Sequence, residues 1–259
     1  MQSHPPIDIA ALRARMIPPT PELVALLAPG GVLRAGINLS NFLLVSGREA
    51  DGTPVGVAPD MAWALAALLD LPVHHICYDS PGLVADAAAT DAWDVALLGA
   101  EPQRAAVIGF TSAYTEIEAT YLVPAGSSLR TPAAVDGPGV RIAVTDRTAY
   151  GLWLDRHIRQ AELVRTGTID EAAMVFAARG LEALAGLRPR LVKDLLAMPG
   201  SILLPGRFMA VQQALGTPLR KAAAQPFLQD FVTASIETGF VAKLIARHGI
   251  EGLSVAQRA

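Results

Sequence analysis

The chain has 259 residues, 52% hydrophobic and 17% charged, enough to bury a core in one large or two small domains and too apolar for disorder. Its net charge of −3 offers nothing to a phosphate backbone, so nucleic acid is not expected as a partner. Pro, Gly, Asp or Arg interrupts every apolar run short of the roughly 18–20 residues of a membrane span, and the single Cys77 excludes an intramolecular disulfide.

Residues 7–15 and 21–28 predict two short helices around Pro18-Pro19, and Gly30-Gly31 ends this leader. The start interleaves Asp8 with prolines and has no basic-then-apolar signal pattern, so no export signal is read. Residues 32–38 predict a first strand, 59–71 a buried helix stopped by Pro72, and 73–78 a second strand. A strand, crossover helix and strand of this length imply a parallel pair and an α/β fold. The alternation continues with a helix at 81–89, a strand at 93–99, a short helix at 102–108 and a strand at 121–124. It then begins again. Strands are predicted at 140–145, 162–166, 184–186 and 202–204, separated by helices at 150–160, 169–179 and 190–197. Residues 218–225, 226–239 and 240–248 are read as a helical tail that must dock on something already built.

This order of signals resembles the periplasmic solute-binding proteins of the polar amino acid type, the type II two-lobed receptors that feed ABC importers. The resemblance runs from about Gly31 to Gly249. It is carried by Gly31-Val-Leu-Arg-Ala-Gly36, by Gly56-Val-Ala-Pro-Asp60-Met-Ala62, and by Trp93-Asp94 followed by Arg104 and Phe110-Thr111-Ser112-Ala113-Tyr114. The tail adds Gln225-Pro-Phe-Leu-Gln-Asp-Phe-Val232, Thr238-Gly239-Phe-Val and Arg247-His-Gly249. The resemblance implies a leader over 1–30, lobe one over 31–118 and 206–259, and lobe two over 119–205, with two chain crossovers and hinges at 118–121 and 204–207. It also implies a monomer without cofactor, and a partner that is an importer's membrane subunit or a sensor. The compartment is periplasmic by resemblance and cytoplasmic if the chain truly starts without a signal.

Parallel α/β sheets place ligands at the carboxyl ends of their strands. Arg104 lies just past such an end, and its planar fork of donors suits a carboxylate. The resemblance makes it the residue that holds a ligand's carboxylate; pairing with Glu101 is the alternative. Gly99 and Glu101 flank it. Asn38, Asn41 and Phe42 follow the first strand, where they either meet the solute or hold their own turn. Thr145, Asp146, Arg147 and Thr148 occupy the corresponding turn of lobe two; Thr148 matches a family Thr, and Arg147 replaces a family Gly. Thr148 or Asp146 could instead cap the helix. Family receptors of amino acids carry an acid a few positions after the element that here reads Gly180-Leu-Glu182-Ala183. Gly186, Leu187 and Arg188 supply none, which argues against an ordinary α-amino acid, since a buried ammonium needs a counter-charge.

His74 and His75 point to opposite faces of a strand and do not form a metal site. His157 and His248 lie on predicted helices without partners, and Trp63 and Trp153 are read as core. The leading function is a non-enzymatic binding protein closing two lobes over a small carboxylate-bearing solute. The alternative is a cyclohexadienyl dehydratase-like enzyme on the same scaffold, with Glu101 or Glu182 as its acid.

Overall fold

The computed structural model describes residues 7–257; the first six residues of the expected leader lie outside them. Contacts gather the chain into two units, Met1–Glu116 with Gln212–Ala259, and Ile117–Val211.

The first unit opens with α1 (Ala10–Arg15) and α2 (Pro21–Leu27). Pro21 presets the first turn of α2, and the Thr20 hydroxyl accepts from the Leu23 amide at 3.3 Å. Both helices are fastened to the unit: in α1 Arg13 donates to the Ala67 carbonyl at 2.6 Å and Arg15 to Glu237 at 3.0 Å, and the Leu27 carbonyl that ends α2 accepts from Lys221 at 3.0 Å. Next comes β1 (Leu33–Asn38), then β2 (Gly47–Arg48) and β3 (Pro54–Val55), a small hairpin in the expected loop. Gly56 follows at φ 149°, and a Cβ there would lie 2.3 Å from the Leu44 carbonyl oxygen. No other residue fits. The nearly all-apolar α3 (Val57–Leu68), β4 (Val73–Tyr78), α4 (Pro81–Asp86) and β5 (Val95–Gly99) complete a parallel unit with β1 between β4 and β5. The helix expected at 102–108 is only a tight turn over Arg104–Ala106. Where a strand of four residues is read at 121–124, β6 runs sixteen, Ile108–Val123, from the first unit into the second.

The second unit repeats the plan. β7 (Arg141–Thr145), α5 (Ala149–His157), β8 (Glu162–Thr166), α6 (Ile169–Arg179) and β9 (Ala183–Leu187) again place the first strand, β7, between two parallel partners. α7 (Arg188–Ala197) and β10 (Ile202–Leu203) follow. Burial of both sheet faces explains why β7 and β9 read as near-continuous apolar runs, whereas β8, at the sheet's end, is largely exposed. On one face Tyr121, Ile142, Val144, Ala183 and Ala185 pack with Tyr150 and Leu154 of α5; on the other Leu122, Ala143 and Leu184 pack with Phe176 of α6 and Leu191 of α7.

The chain returns on β11 (Met209–Pro218), a ten-residue strand where the sequence reading has none. It pairs antiparallel with β5, Leu215 opposite Leu97, as β6 pairs antiparallel with β9, Tyr121 opposite Ala185. On its other side β11 neighbours β6, and Gly216 permits that approach: a Cβ there would lie 2.5 Å from the Ile108 side chain. α8 (Gln225–Glu237), α9 (Phe240–Arg247) and the short β12 (Ser254–Val255), which pairs with β6, finish the first unit.

Each unit carries the same fastening. Arg34 at the start of β1 gives its main-chain N–H to Asp94 at 2.9 Å and its guanidinium at 3.0 and 2.7 Å. Arg141 at the start of β7 does the same to Glu182 at 2.8, 2.9 and 2.8 Å. In both, the carboxylate stands immediately before the neighbouring strand and ties two parallel strands at their amino ends.

Candidate functional site

The carboxyl edge of the first unit collects most of the residues singled out in its sequence. β1 ends at Asn38 and β5 at Gly99; the strands are adjacent and parallel, with Ile37 opposite Leu97. Asn38 is buried and its Oδ1 accepts from the Ser40 amide at 3.2 Å and hydroxyl at 2.8 Å. Asn41 likewise accepts from the Leu43 amide at 3.2 Å. Both side-chain oxygens therefore hold their own turn. Phe42 is half-buried beside them.

Past β5, the Ala100 amide donates to the Gln212 carbonyl at 2.8 Å, fixing the strand's exit to β11. The Glu101 carbonyl accepts the Arg104 and Ala105 amides at 2.9 and 3.0 Å, which builds the turn that carries the arginine. Arg104 is 4% exposed and Glu101 5%. Arg104 Nη1 donates to the Gly99 carbonyl at 2.6 Å. One arm of the guanidinium is thus pinned to the end of β5, so its plane is set before any ligand arrives.

The equivalent edge of the second unit is the β7–α5 turn. Thr148 caps α5: its hydroxyl donates to the Thr145 carbonyl at 2.8 Å and accepts from the Gly151 amide at 3.1 Å. Gly151 is required, since a Cβ would meet the Thr145 oxygen at 2.7 Å. Arg147 adopts φ 55°, the left-handed conformation that a glycine takes most easily. Asp146 is exposed, its amide bonded to the Thr166 carbonyl at 2.9 Å. The Thr145 hydroxyl is buried with no hydrogen bond of good geometry, beside the Tyr150 phenol, whose pKa burial raises. Gly186 is buried near the end of β9, packed on Leu191.

Glu182 does not belong with these residues. It stands at the amino end of β9, and its bonds to Arg141, against a smaller effect of burial, hold its carboxyl at about 2. A carboxylate paired in this way is a poor proton donor, so the acid role read for Glu182 is withdrawn, and its place at the amino end of β9 sets it apart from the other residues read as ligand-binding.

Other expectations change as well. Trp63 is 38% exposed rather than core, and His248 has a partner, its Nε2 lying 2.7 Å from Asp60. His157 stacks on Trp153 at 3.8 Å and bonds its carbonyl. The sequence reading missed Glu118 on β6, which takes Arg188 Nε at 2.7 Å and lies 3.6 Å from Arg207. A residue 70 positions away leaves no local signal. Among the described residues no group of three or more His, Cys, Asp or Glu side chains is placed to hold a metal ion.

No protein-family model matches the chain, and no curated protein does. Solved structures do. An amino acid ABC transporter substrate-binding protein from Streptococcus pneumoniae, bound to L-arginine, superimposes with a TM-score of 0.70 at 17% identity, covering 90% of this chain and 99% of that one. A histidine kinase sensor domain similar to periplasmic binding proteins gives 0.71 at 15%, covering 87% and 98%. An ancestral amino acid-binding protein, a precursor of cyclohexadienyl dehydratase, gives 0.70 at 16%, covering 86% and 97%. The chain has the type II periplasmic binding protein fold. No helix among the described residues is long and apolar enough to cross a membrane.

Proposed function

We propose that the protein is a solute-binding protein for a small carboxylate-bearing ligand, serving an ABC-type importer or a sensor outside the cytoplasm. The observation that carries this reading is Arg104: a guanidinium buried at the carboxyl edge of a parallel sheet and pinned to the Gly99 carbonyl through one nitrogen. Burial strengthens its pull on an anion, and its fixed plane favours bidentate capture. Glu101, Asn38, Asn41 and Phe42 share that edge. Thr145 to Thr148 and Gly186 are the second unit's proposed contribution, through the α5 N-terminus.

The chemistry at the end of β9 refines the ligand class. Gly186, Leu187 and Arg188 bring no carboxylate of their own there, and the one that β6 supplies, Glu118, is taken by Arg188 at 2.7 Å. The proposal therefore favours an organic acid without an α-ammonium over an amino acid. Closure of the two units on the solute is part of it, read as a fall in radius of gyration on ligand addition.

A second reading is favoured by buried Glu101 and by the resemblance to a dehydratase precursor. In it, Glu101 moves a proton in a lyase reaction. Prephenate or arogenate turnover followed by absorbance separates the readings.

The test of binding is a thermal-shift screen over amino acids, keto acids, dicarboxylates and aromatic acids, then calorimetry of the strongest hit. Arg104→Ala is expected to weaken it at least about 30-fold, about 2 kcal/mol, with the fold intact by circular dichroism. Unchanged affinity overturns the assignment.

A further inference from the structure

Three neighbouring strands of the first unit flank Arg104. β5 ends at Gly99, whose carbonyl takes Arg104 Nη1 at 2.6 Å, and it has β1 on one side and β11 on the other. At a spacing of about 4.8 Å per strand, β1 and β11 stand about 10 Å apart across it. Both bring a buried carboxamide to this end: Asn38 closes β1, and Gln213 lies on β11 opposite Gly99. Asn41, in the turn after β1, is a third.

The two ends of these carboxamides are used unequally. Asn38 Oδ1 accepts from the Ser40 amide and hydroxyl, and Asn41 Oδ1 from the Leu43 amide, so the oxygens are committed and the orientation of each group is fixed. The nitrogens are unspent. Among the described residues neither Nδ2 donates to a protein acceptor, the Gln213 side-chain amide makes no hydrogen bond, and none of the three nitrogens is sealed from solvent. Donors left over among buried groups call for acceptors. These donors are neutral, which suits a carbonyl oxygen. A second carboxylate would call for a second cation, and residues 38–46, 99–104 and 212–214 hold only Arg104.

Taking Arg104 as the anchor of the carboxylate, as proposed above, we infer that this edge selects a 2-keto acid. The carboxylate meets the guanidinium, and the adjacent keto oxygen accepts from the carboxamide N–H groups around it. A 2-hydroxy acid matches less well, because its O–H adds a donor among donors and has Glu101 as its one carboxylate acceptor in these turns.

The experiment is calorimetry on the full chain with matched acids of three sizes: propanoate and pyruvate, 4-methylpentanoate and 4-methyl-2-oxopentanoate, 3-phenylpropanoate and phenylpyruvate, each pair with its 2-hydroxy counterpart. In at least one set the keto acid is expected to bind at least about tenfold tighter than the plain acid, the worth of one or two hydrogen bonds, and tighter than the hydroxy acid. Asn38→Asp keeps the oxygen that holds Ser40 and removes the donor; Gln213→Met removes an amide without adding charge. Each brings the keto-to-plain ratio toward one with the fold intact by circular dichroism, whereas Arg104→Ala weakens keto and plain acids alike. Saturable binding with equal keto and plain affinities in every set, or a hydroxy acid tighter than its keto counterpart, overturns the keto assignment and leaves the carboxylate site standing. No saturable binding of any of these acids overturns both.

Discussion

Asp94→Asn tests the fastening of the first unit. The carboxylate is fully buried and accepts three N–H bonds from Arg34 at 2.7–3.0 Å, together with the ammonium of Lys221. Burial alone would raise its pKa; the bonds from Arg34 and Lys221 outweigh that and hold it below the ordinary value. Lys221 is the vulnerable member, its side chain 7% exposed and its other bond a neutral one, to the Leu27 carbonyl at 3.0 Å. Neutralising Asp94 strands that ammonium, at a cost of about 3–5 kcal/mol. Against a total stability of about 5–15 kcal/mol this is a large fraction. In a Trp153→Phe background the remaining indoles, Trp63 and Trp93, both report on the first unit. At a urea dependence of about 2 kcal/mol per molar, the midpoint should fall by about 1.5–2.5 M. Adding Lys221→Met should recover part of the loss, because the stranded charge is gone. A loss under about 1 kcal/mol, or a double variant as weak as the sum of the singles, would refute the reasoning.

Glu182→Gln breaks the equivalent clamp, but with a carboxylate 35% exposed it should cost only about 1 kcal/mol, measured by urea unfolding read from Trp153. The folded pKa of Glu182 is depressed from 4.5 to about 2, so its contribution is fully present above about 4.5 and lost as pH falls toward 2. Glu182→Gln should flatten that part of the pH profile, and an unchanged profile counts against the pair. Thr148→Val should cost about 1 kcal/mol through loss of the α5 cap, seen as a melting temperature lower by a few degrees. Gly151→Ala, which forces a methyl against the Thr145 carbonyl at 2.7 Å, should cost more than Thr148→Val; equal melting points would contradict the tight turn.

The strand-helix alternation was legible where a short strand is bounded by turn residues, whether it is largely buried, as at 33–38 and 141–145, or partly exposed, as at 73–78 and 162–166. The two strands that join the units were not. β6 carries Thr, Ser and Glu through Phe110–Ala119 because its burial is irregular, so neither alternation nor an apolar run appears. β11 is Met-Ala-Val-Gln-Gln-Ala-Leu-Gly-Thr-Pro, poor in β-formers, and is a strand because β5 pairs with it. Its Gly216 looks like a turn signal and is instead a point of close approach to Ile108. At the site, the position of Arg104 after β5 was readable, but its bond to Gly99 was not. The fate of Glu182 was hidden for another reason: its partner is 41 residues away, at the start of a different strand.

The paired arginine clamps have an evolutionary corollary. They lock each unit at the amino ends of its strands, while the turns after Asn38, Gly99 and Thr145 leave from the carboxyl ends. Substitutions in those turns leave the locks untouched, so the chemistry of the carboxyl edge can change without loosening the strands that carry it.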